Sequence, residues 1–515
     1  MARYKHKICI FAPSNHHSYK MLIGRTEEKR LIMEAYHAAE SHFVAIYGRR
    51  RVGKTYLVRE LFEGKFTFEH SGMANTKTRG QLQNFQSSLR RWGLDKARQP
   101  HNWIEAFDML CDLIVQSKNK RKVVFIDELP WMDAPKSDFL PAFEHFWNGW
   151  ASARKDVLLI VCGSATSWII SNIVNNHGGL HNRLTYEIPL RPFTLQECRL
   201  YAQGLHLEMN AHQLLECYMV MGGVPYYWSR LQKGLSLAQN IDALFFSRNG
   251  GLRGEYQAMY SSLFRRPELY QTVIMALGQK RIGMTRGELM KTADLTGNGT
   301  LTRVLEELEQ CGFIRRYNSA AGKANNAIFQ LIDSYTLFYF KFIQNNVKSD
   351  EHFWTNSIDS AMHRAWSGLA FERVCLMHVP QLKRALGIEG VTSFEYAWRS
   401  KASGNDDEAG GAQIDLLIER NDQVTNLCEM KFCRDEFEID EQYYKVLLNK
   451  KERFIRETGT KNAIHLTLVT VNGIKRNSWA DEIQSVITPK SQNITISVFY
   501  GAESVSMPSF IAGIA

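Results

Sequence analysis

Between residues 25 and 200, stretches with apolar residues at helical spacing alternate with short runs rich in β-branched and aromatic residues. Runs at 43–47, 66–69, 123–126, 157–162 and 185–190 read as strands, and this alternation predicts an α/β layer built on a mostly parallel sheet. Residues 194–262 return to helical spacing, broken at Gly222, Gly223 and Pro225, and are expected to form a small helical lid. Three helical segments (267–277, 285–293, 300–310) then precede two extended runs (313–318 and 327–332), the outline of a winged helix. After the polar stretch 345–351, a helix at 359–378 leads into strands and a further helix, a separate α/β domain. The segment 399–411, with Gly404, Asn405, Gly410 and Gly411 among acidic residues, is expected to be a mobile loop. Residues 1–20 show no periodicity and read as an N-terminal extension.

At roughly 150 residues per domain, a chain of 515 residues holds about three domains, and its 44% apolar and 23% charged content is that of a soluble globular protein. No apolar run approaches the roughly 18 residues of a spanning helix, so no membrane partner is expected. The nine cysteines include no Cys-x-x-Cys pair, which disfavours zinc and disulfide frameworks and fits a reducing, cytoplasmic setting. The net charge of +10 is unevenly distributed: residues 1–260 hold 33 Lys and Arg against 23 Asp and Glu, and the remainder 30 against 30. A basic half suits a nucleotide or nucleic-acid partner, or an ordinary solvated surface.

Gly48-Arg49-Arg50-Arg51-Val52-Gly53-Lys54-Thr55 follows the first strand and is a full match to the phosphate-loop pattern G-x-x-x-x-G-K-[ST]. Glycines let successive backbone N–H groups point at phosphate oxygens, and the following helix adds its positive dipole end. Lys54 is expected to reach the β and γ phosphates of ATP, and the Thr55 hydroxyl to bind Mg2+. The three arginines are expected beside the triphosphate. The strand at 123–126 ends in Asp127 and Glu128. Asp127 would hold the metal through water, and Glu128 would act as general base on the attacking water. The strand at 66–69 separates the two motif strands in sequence, which resembles the additional-strand P-loop ATPases rather than simple kinases and by that likeness implies hydrolysis, not phosphotransfer. Ser164, after the next strand, would sense the γ phosphate or orient the water, a plain Gly-Ser turn being the alternative. Arg183 would serve a neighbouring subunit as a charge-stabilising finger in a homo-oligomer, or be an ordinary surface arginine.

These motifs, with Leu22-Ile23-Gly24-Arg25-Thr26-Glu27-Glu28, Cys162-Gly163-Ser164 and Gly222-Gly223-Val224-Pro225, resemble the archaeal-type ATPase family of the AAA+ and STAND group over about residues 21–340. The resemblance implies a P-loop ATPase core (21–193), a helical lid (194–262) and a winged helix (263–345), with Ile23 and Gly24 near the adenine. On the winged helix, Asn298, Thr300 and Arg303 could face a DNA groove, with Arg315, Arg316 and Lys323 on the wing. Glu306, Glu307 and Glu309 oppose this, and internal docking is the equal alternative.

Near the end, the apolar run with Asp415 is followed, past Asn421-Asp422-Gln423, by the run with Glu429 and Lys431. A hairpin with a three-residue turn would set Asp415 opposite Glu429, with Glu429 and Lys431 on one face; a slip of one residue would reverse the faces. Two carboxylates could then bind Mg2+ while Lys431 activates a water against a phosphodiester. With Glu372 on the preceding helix and Gln442 and Tyr443 on the following one, residues 358–505 resemble the PD-(D/E)XK nuclease superfamily, which implies a C-terminal α/β nuclease-like domain with Glu372, Asp415 and Glu429 as metal ligands. The chain is thus expected to bind and hydrolyse ATP and to act on nucleic acid through a metal-dependent nuclease. Two alternatives stand beside this: a catalytically silent C-terminal module, and a nucleotide-gated DNA-binding regulator.

Overall fold

The computed structural model describes residues 22–489 apart from 177, 265, 296–297, 319–326, 345, 347–349 and 401–411. The expected N-terminal extension, most of the expected mobile loop, Thr296, Gly297, Lys323 and residues 490–505 lie outside the described residues. No described helix is long and apolar enough to cross a membrane.

Strands β1 (His42–Tyr47), β2 (Phe66–Ser71), β3 (Lys122–Asp127), β4 (Val157–Gly163) and β5 (Tyr186–Pro189) form an all-parallel sheet in the order β2-β3-β4-β1-β5. The strand that lies between the two motif strands in space is therefore β4; β2, which lies between them in sequence, is at the edge. β3 and β4 are buried at every residue, as strands covered on both faces require. Side chains alternate between two cores. Phe43, Ala45, Val124 and Ile126 face helices Thr78–Arg91, Trp103–Gln116 and Phe139–Phe146. Val44, Ile46, Val123 and Phe125 face helices Thr26–His37 and Lys54–Leu61.

Residues 195–263 form helices, of which Leu195–Gly204 and Ala211–Met221 each begin in a capping box that satisfies their first N–H groups. A smaller module follows. Helices Pro267–Gly278, Arg286–Thr292 and Asn298–Gln310 pack with β6 (Met284–Thr285), β7 (Ile314–Asn318) and β8 (Ala327–Leu331) in an antiparallel sheet of order β6-β8-β7. The last module carries β9 (Ser393–Arg399), β10 (Gln413–Arg420), β11 (Val424–Lys431), β12 (Ala463–Thr470) and β13 (Ser485–Ile487) in the order β13-β12-β11-β10-β9. β9 to β11 pair antiparallel, and β11 to β13 pair parallel. Helix Ala361–Met377 covers one face of this sheet and helix Glu441–Thr458 the other.

One continuous core joins the helices after β5, the small module and the Ala361–Met377 face of the last sheet. Where the chain passes from β5 into this core, a backbone contact forms the seam: Phe193 N donates to Gly223 O at 2.6 Å, and a Cβ on Gly223 would lie 1.8 Å from Phe193 O. Gly223→Ala is therefore expected to force the two backbones apart and to cost about 2–3 kcal/mol, read as a drop of several degrees in the melting temperature; an unchanged transition would show that the seam yields freely.

Candidate functional site

The phosphate loop leaves the C-terminal end of β1 at Gly48, whose φ is 145° and whose Cβ, if it had one, would meet Leu190 O at 2.2 Å. It ends at Gly53, with φ 95°, which caps helix Lys54–Leu61. Lys54 is buried, and its Nζ donates to Gly48 O at 2.7 Å and Arg49 O at 3.0 Å. Burial pushes its pKa down, with Glu128 opposing. Thr55 Oγ1 donates to Asp127 Oδ2 at 2.8 Å, which joins the loop to the end of β3. Asp127 Oδ1 accepts from Glu128 N at 2.9 Å and from Cys162 Sγ at 2.6 Å.

Glu128 has a left-handed backbone, φ 47°, and its Oε2 accepts from Ser164 N at 3.0 Å and Ser164 Oγ at 2.9 Å. Burial pushes the Glu128 carboxyl up, while Lys54 and the Ser164 hydrogen bonds hold it down. The ends of β1, β3 and β4 thus bring Lys54, Thr55, Asp127, Glu128 and Ser164 together. Beside them lies a cavity of about 460 Å3, lined by Ile23, Arg50, Val52, Tyr201 and Tyr226 among others. Gly24, φ 65°, turns the chain beside Glu197.

The three loop arginines part company. Arg50 is exposed and lines the cavity. Arg49, expected beside the triphosphate, is 3% exposed, and its Nη1 is ion-paired to Asp333, itself 6% exposed. Its Nη2 lies 3.0 Å from Met259 Sδ, and its guanidinium sits 4.9 Å over the Phe313 ring. Arg51, φ 69°, lines the cavity but pairs with Glu255 and stacks over Tyr226 at 4.2 Å. A buried guanidinium needs a carboxylate, so Arg49 faces the neighbouring module and not the cavity.

Arg183 is exposed and precedes the start of β5. Thr185 N donates to Phe43 O at 2.8 Å, so this segment lies beside the N-terminal end of β1, opposite the phosphate loop. Nucleotide chemistry by Arg183 would therefore need a second copy of the chain. On helix Asn298–Gln310, Leu301, Val304, Leu305 and Leu308 enter the shared core. Arg303 lies 4.0 Å from Glu307, Arg316 3.8 Å from Glu309, and Arg315 Nε donates to Gln330 at 2.7 Å. Thr300 is exposed.

Of the C-terminal carboxylates, Glu372 and Asp415 meet on Arg281, while Glu429 pairs on the side of helix Glu441–Thr458. The turn has three residues, and the β10–β11 ladder runs from Glu419↔Thr425 to Leu416↔Cys428, one residue short of Asp415 and Glu429. On its other edge, β10 carries an irregularity against β9 between Ile414 and Leu417. Ile414 consequently shares a core with Leu417, while Leu416 and Ile418 point to the opposite face. Asp415, inside this irregularity, turns to Arg281 and to Gln413 Nε2 at 2.6 Å. Glu429 is ion-paired to Lys450 and accepts from Tyr443 Oη at 3.4 Å, on the side of helix Glu441–Thr458. Lys431 Nζ stands 4.6 Å over the Tyr443 ring. Glu372 pairs with Arg281; burial and Asp415 push its carboxyl up to about 7. Among the described residues, no three His, Cys, Asp or Glu side chains form a group that could hold a metal ion.

Residues 22–231 match the family described as an ATPase domain predominantly from Archaea. The matched stretch contains the phosphate loop, the Asp127–Glu128 strand end and Ser164. An uncharacterized protein of Methanocaldococcus jannaschii is 22% identical over 370 residues, 71% of this chain and 78% of that protein. Among solved structures, a Walker-type ATPase of Pyrococcus abyssi aligns with 61% of this chain and 95% of its own at 14% identity and a TM-score of 0.43. The ORC2 protein of Aeropyrum pernix, solved as ADPNP-ADP complexes, aligns with 65% of this chain and 93% of its own at 14% identity and a TM-score of 0.38.

Several residues at this site carry no local sequence signal. Asp333 lies 284 positions from Arg49. Glu255, Tyr201 and Tyr226 sit in ordinary helical patterns. Only the unusual run of three arginines hints that acidic partners are required. Asp333→Asn is expected to leave Arg49 buried without a counter-charge and to cost about 3–5 kcal/mol, measured by denaturant unfolding; a loss under about 1 kcal/mol, typical of an exposed pair, would show that the contact is dispensable.

Proposed function

We propose that the chain hydrolyses ATP at the phosphate loop and acts on nucleic acid. The observation that carries hydrolysis is the Thr55–Asp127 contact at 2.8 Å with Glu128 held by Ser164 beside it. ATP phosphates would take over the loop N–H groups and Lys54 Nζ, which now donates to loop carbonyls. Two hard oxygen donors on neighbouring elements suit Mg2+, which keeps few protein ligands and takes phosphate oxygens for the rest; Thr55 and Asp127 would hold it. It would supply charge neutralisation at the phosphates. Glu128 would release Ser164 and accept a proton from the attacking water. Ile23 and Gly24 would adjoin the adenine. The positive excess of residues 1–260, 33 basic against 23 acidic, supports a polyanionic partner.

Lys54→Ala should abolish nucleotide binding. Glu128→Gln should bind ATP yet turn over about a hundredfold to ten-thousandfold more slowly, as measured by fluorescent-nucleotide titration and phosphate release. Wild-type turnover in both variants would end this assignment.

A second reading concerns residues 361–487. Asp415 on one strand and Glu429 with Lys431 on its neighbour, beside the helix that carries Glu372, support a nuclease-like domain. Glu372 and Asp415 share Arg281 while Glu429 pairs with Lys450, so no catalytic step is derived from them. Labelled single- and double-stranded DNA, incubated with Mn2+ with and without ATP, tests the reading: Lys431-dependent cleavage supports it, and intact DNA throughout leaves a binding module.

A further inference from the structure

Glu372 and Asp415 meet on one guanidinium. Arg281 Nη2 donates to Glu372 Oε1 and, at 3.2 Å, to Asp415 Oδ2. Arg281 lies between helix Pro267–Gly278 and β6, in the small module; both acids belong to the last module. The backbone that carries the guanidinium is tied from both sides of this boundary. Its carbonyl accepts from Gln330 Nε2 on β8 at 2.9 Å and from Arg373 Nη2 on helix Ala361–Met377. Arg373 is itself 3% exposed. Two carboxylates this close repel each other unless a cation or a proton is held there, and Arg281 supplies the cation. The second oxygen of Glu372, Oε2, is buried without a hydrogen-bond partner, so the pair has acceptor capacity beyond what one guanidinium fills. A divalent metal ion would have to enter the same space and use the same oxygens.

We propose that Arg281 is the resident cation of the Glu372–Asp415 pair, a clasp between two modules that a divalent metal ion enters only by displacing it. This goes beyond the nuclease-like reading and does not depend on it, because the clasp holds whether or not the opened site cuts anything. The Arg281 side chain is 49% exposed, so solvent reaches the contact and the clasp can open without unfolding either module.

The test is calorimetric titration of the full chain with Mn2+ alone, without nucleotide, in wild type, Arg281→Ala, Arg281→Lys and the double variant Arg281→Ala with Asp415→Asn. Arg281→Ala is expected to gain a Mn2+ site at least about tenfold tighter than wild type, or 1.4 kcal/mol, and the double variant to lose it. Arg281→Lys, which keeps the charge, is expected to stay near wild type; a gain equal to that of Arg281→Ala would mean loosened packing and would overturn the clasp. Circular dichroism reports folding, and Arg281→Gln carries the same comparison if Arg281→Ala melts early. Equal Mn2+ uptake by wild type and Arg281→Ala overturns the clasp, as does a gained site that survives Asp415→Asn. Arg281→Ala protein that gains Mn2+ through Asp415 but cuts no DNA keeps the clasp and removes the nuclease-like reading. Equal cleavage by wild type and Arg281→Ala does the reverse.

Discussion

A positive charge buried inside the phosphate loop is the constraint on which the arrangement of modules turns. Arg49 sits where the backbone must curl between Gly48 and Gly53, and its side chain is almost fully out of water. Removing one partner from such a pair costs far more than the pair contributes. The loop therefore requires Asp333, and Asp333 requires the small module to be docked. Asp333 also accepts from Thr336 N at 2.9 Å and so starts the helix Ser334–Phe338. One carboxylate thus fixes a helix start and the seat of the phosphate loop together.

The parallel sheet was legible because its signals are local: buried apolar runs, a glycine-rich turn, and acids at a strand end. The three helices and two longer strands of the small module were legible for the same reason, since each carries its own period; the two-residue β6 is too short to carry one. What pairing would do to Arg49 and Arg51 was not, because Asp333 and Glu255 are remote in sequence and look like ordinary acids. At the C-terminal acids the hairpin turn was readable, with three residues between β10 and β11. The irregularity against β9 was not, since it arises from the third strand. That irregularity sends Asp415 toward helix Ala361–Met377, while Glu429 keeps the face of helix Glu441–Thr458. Strand period alone would have kept them together.

Four acidic residues at module boundaries serve as partners for arginine. Asp333, Glu255, Glu372 and Asp415 each meet a guanidinium from another segment. Arginine suits this work because it stays charged and presents several donors in a fixed fork.

The single core shared by the helical segment, the small module and helix Ala361–Met377 limits how the chain can be dissected. Trp366, Phe371 and Val374 from the last module complete that core, and His378 Nε2 accepts from Leu195 N at 3.1 Å. A chain shortened after the small module would carry this apolar face into water and leave Leu195 N, in the first turn of helix Leu195–Gly204, without its His378 acceptor. Aggregation or lost turnover in such a fragment would then report a torn core rather than the absence of a C-terminal activity, and point substitutions are the cleaner instrument for separating the roles of the modules.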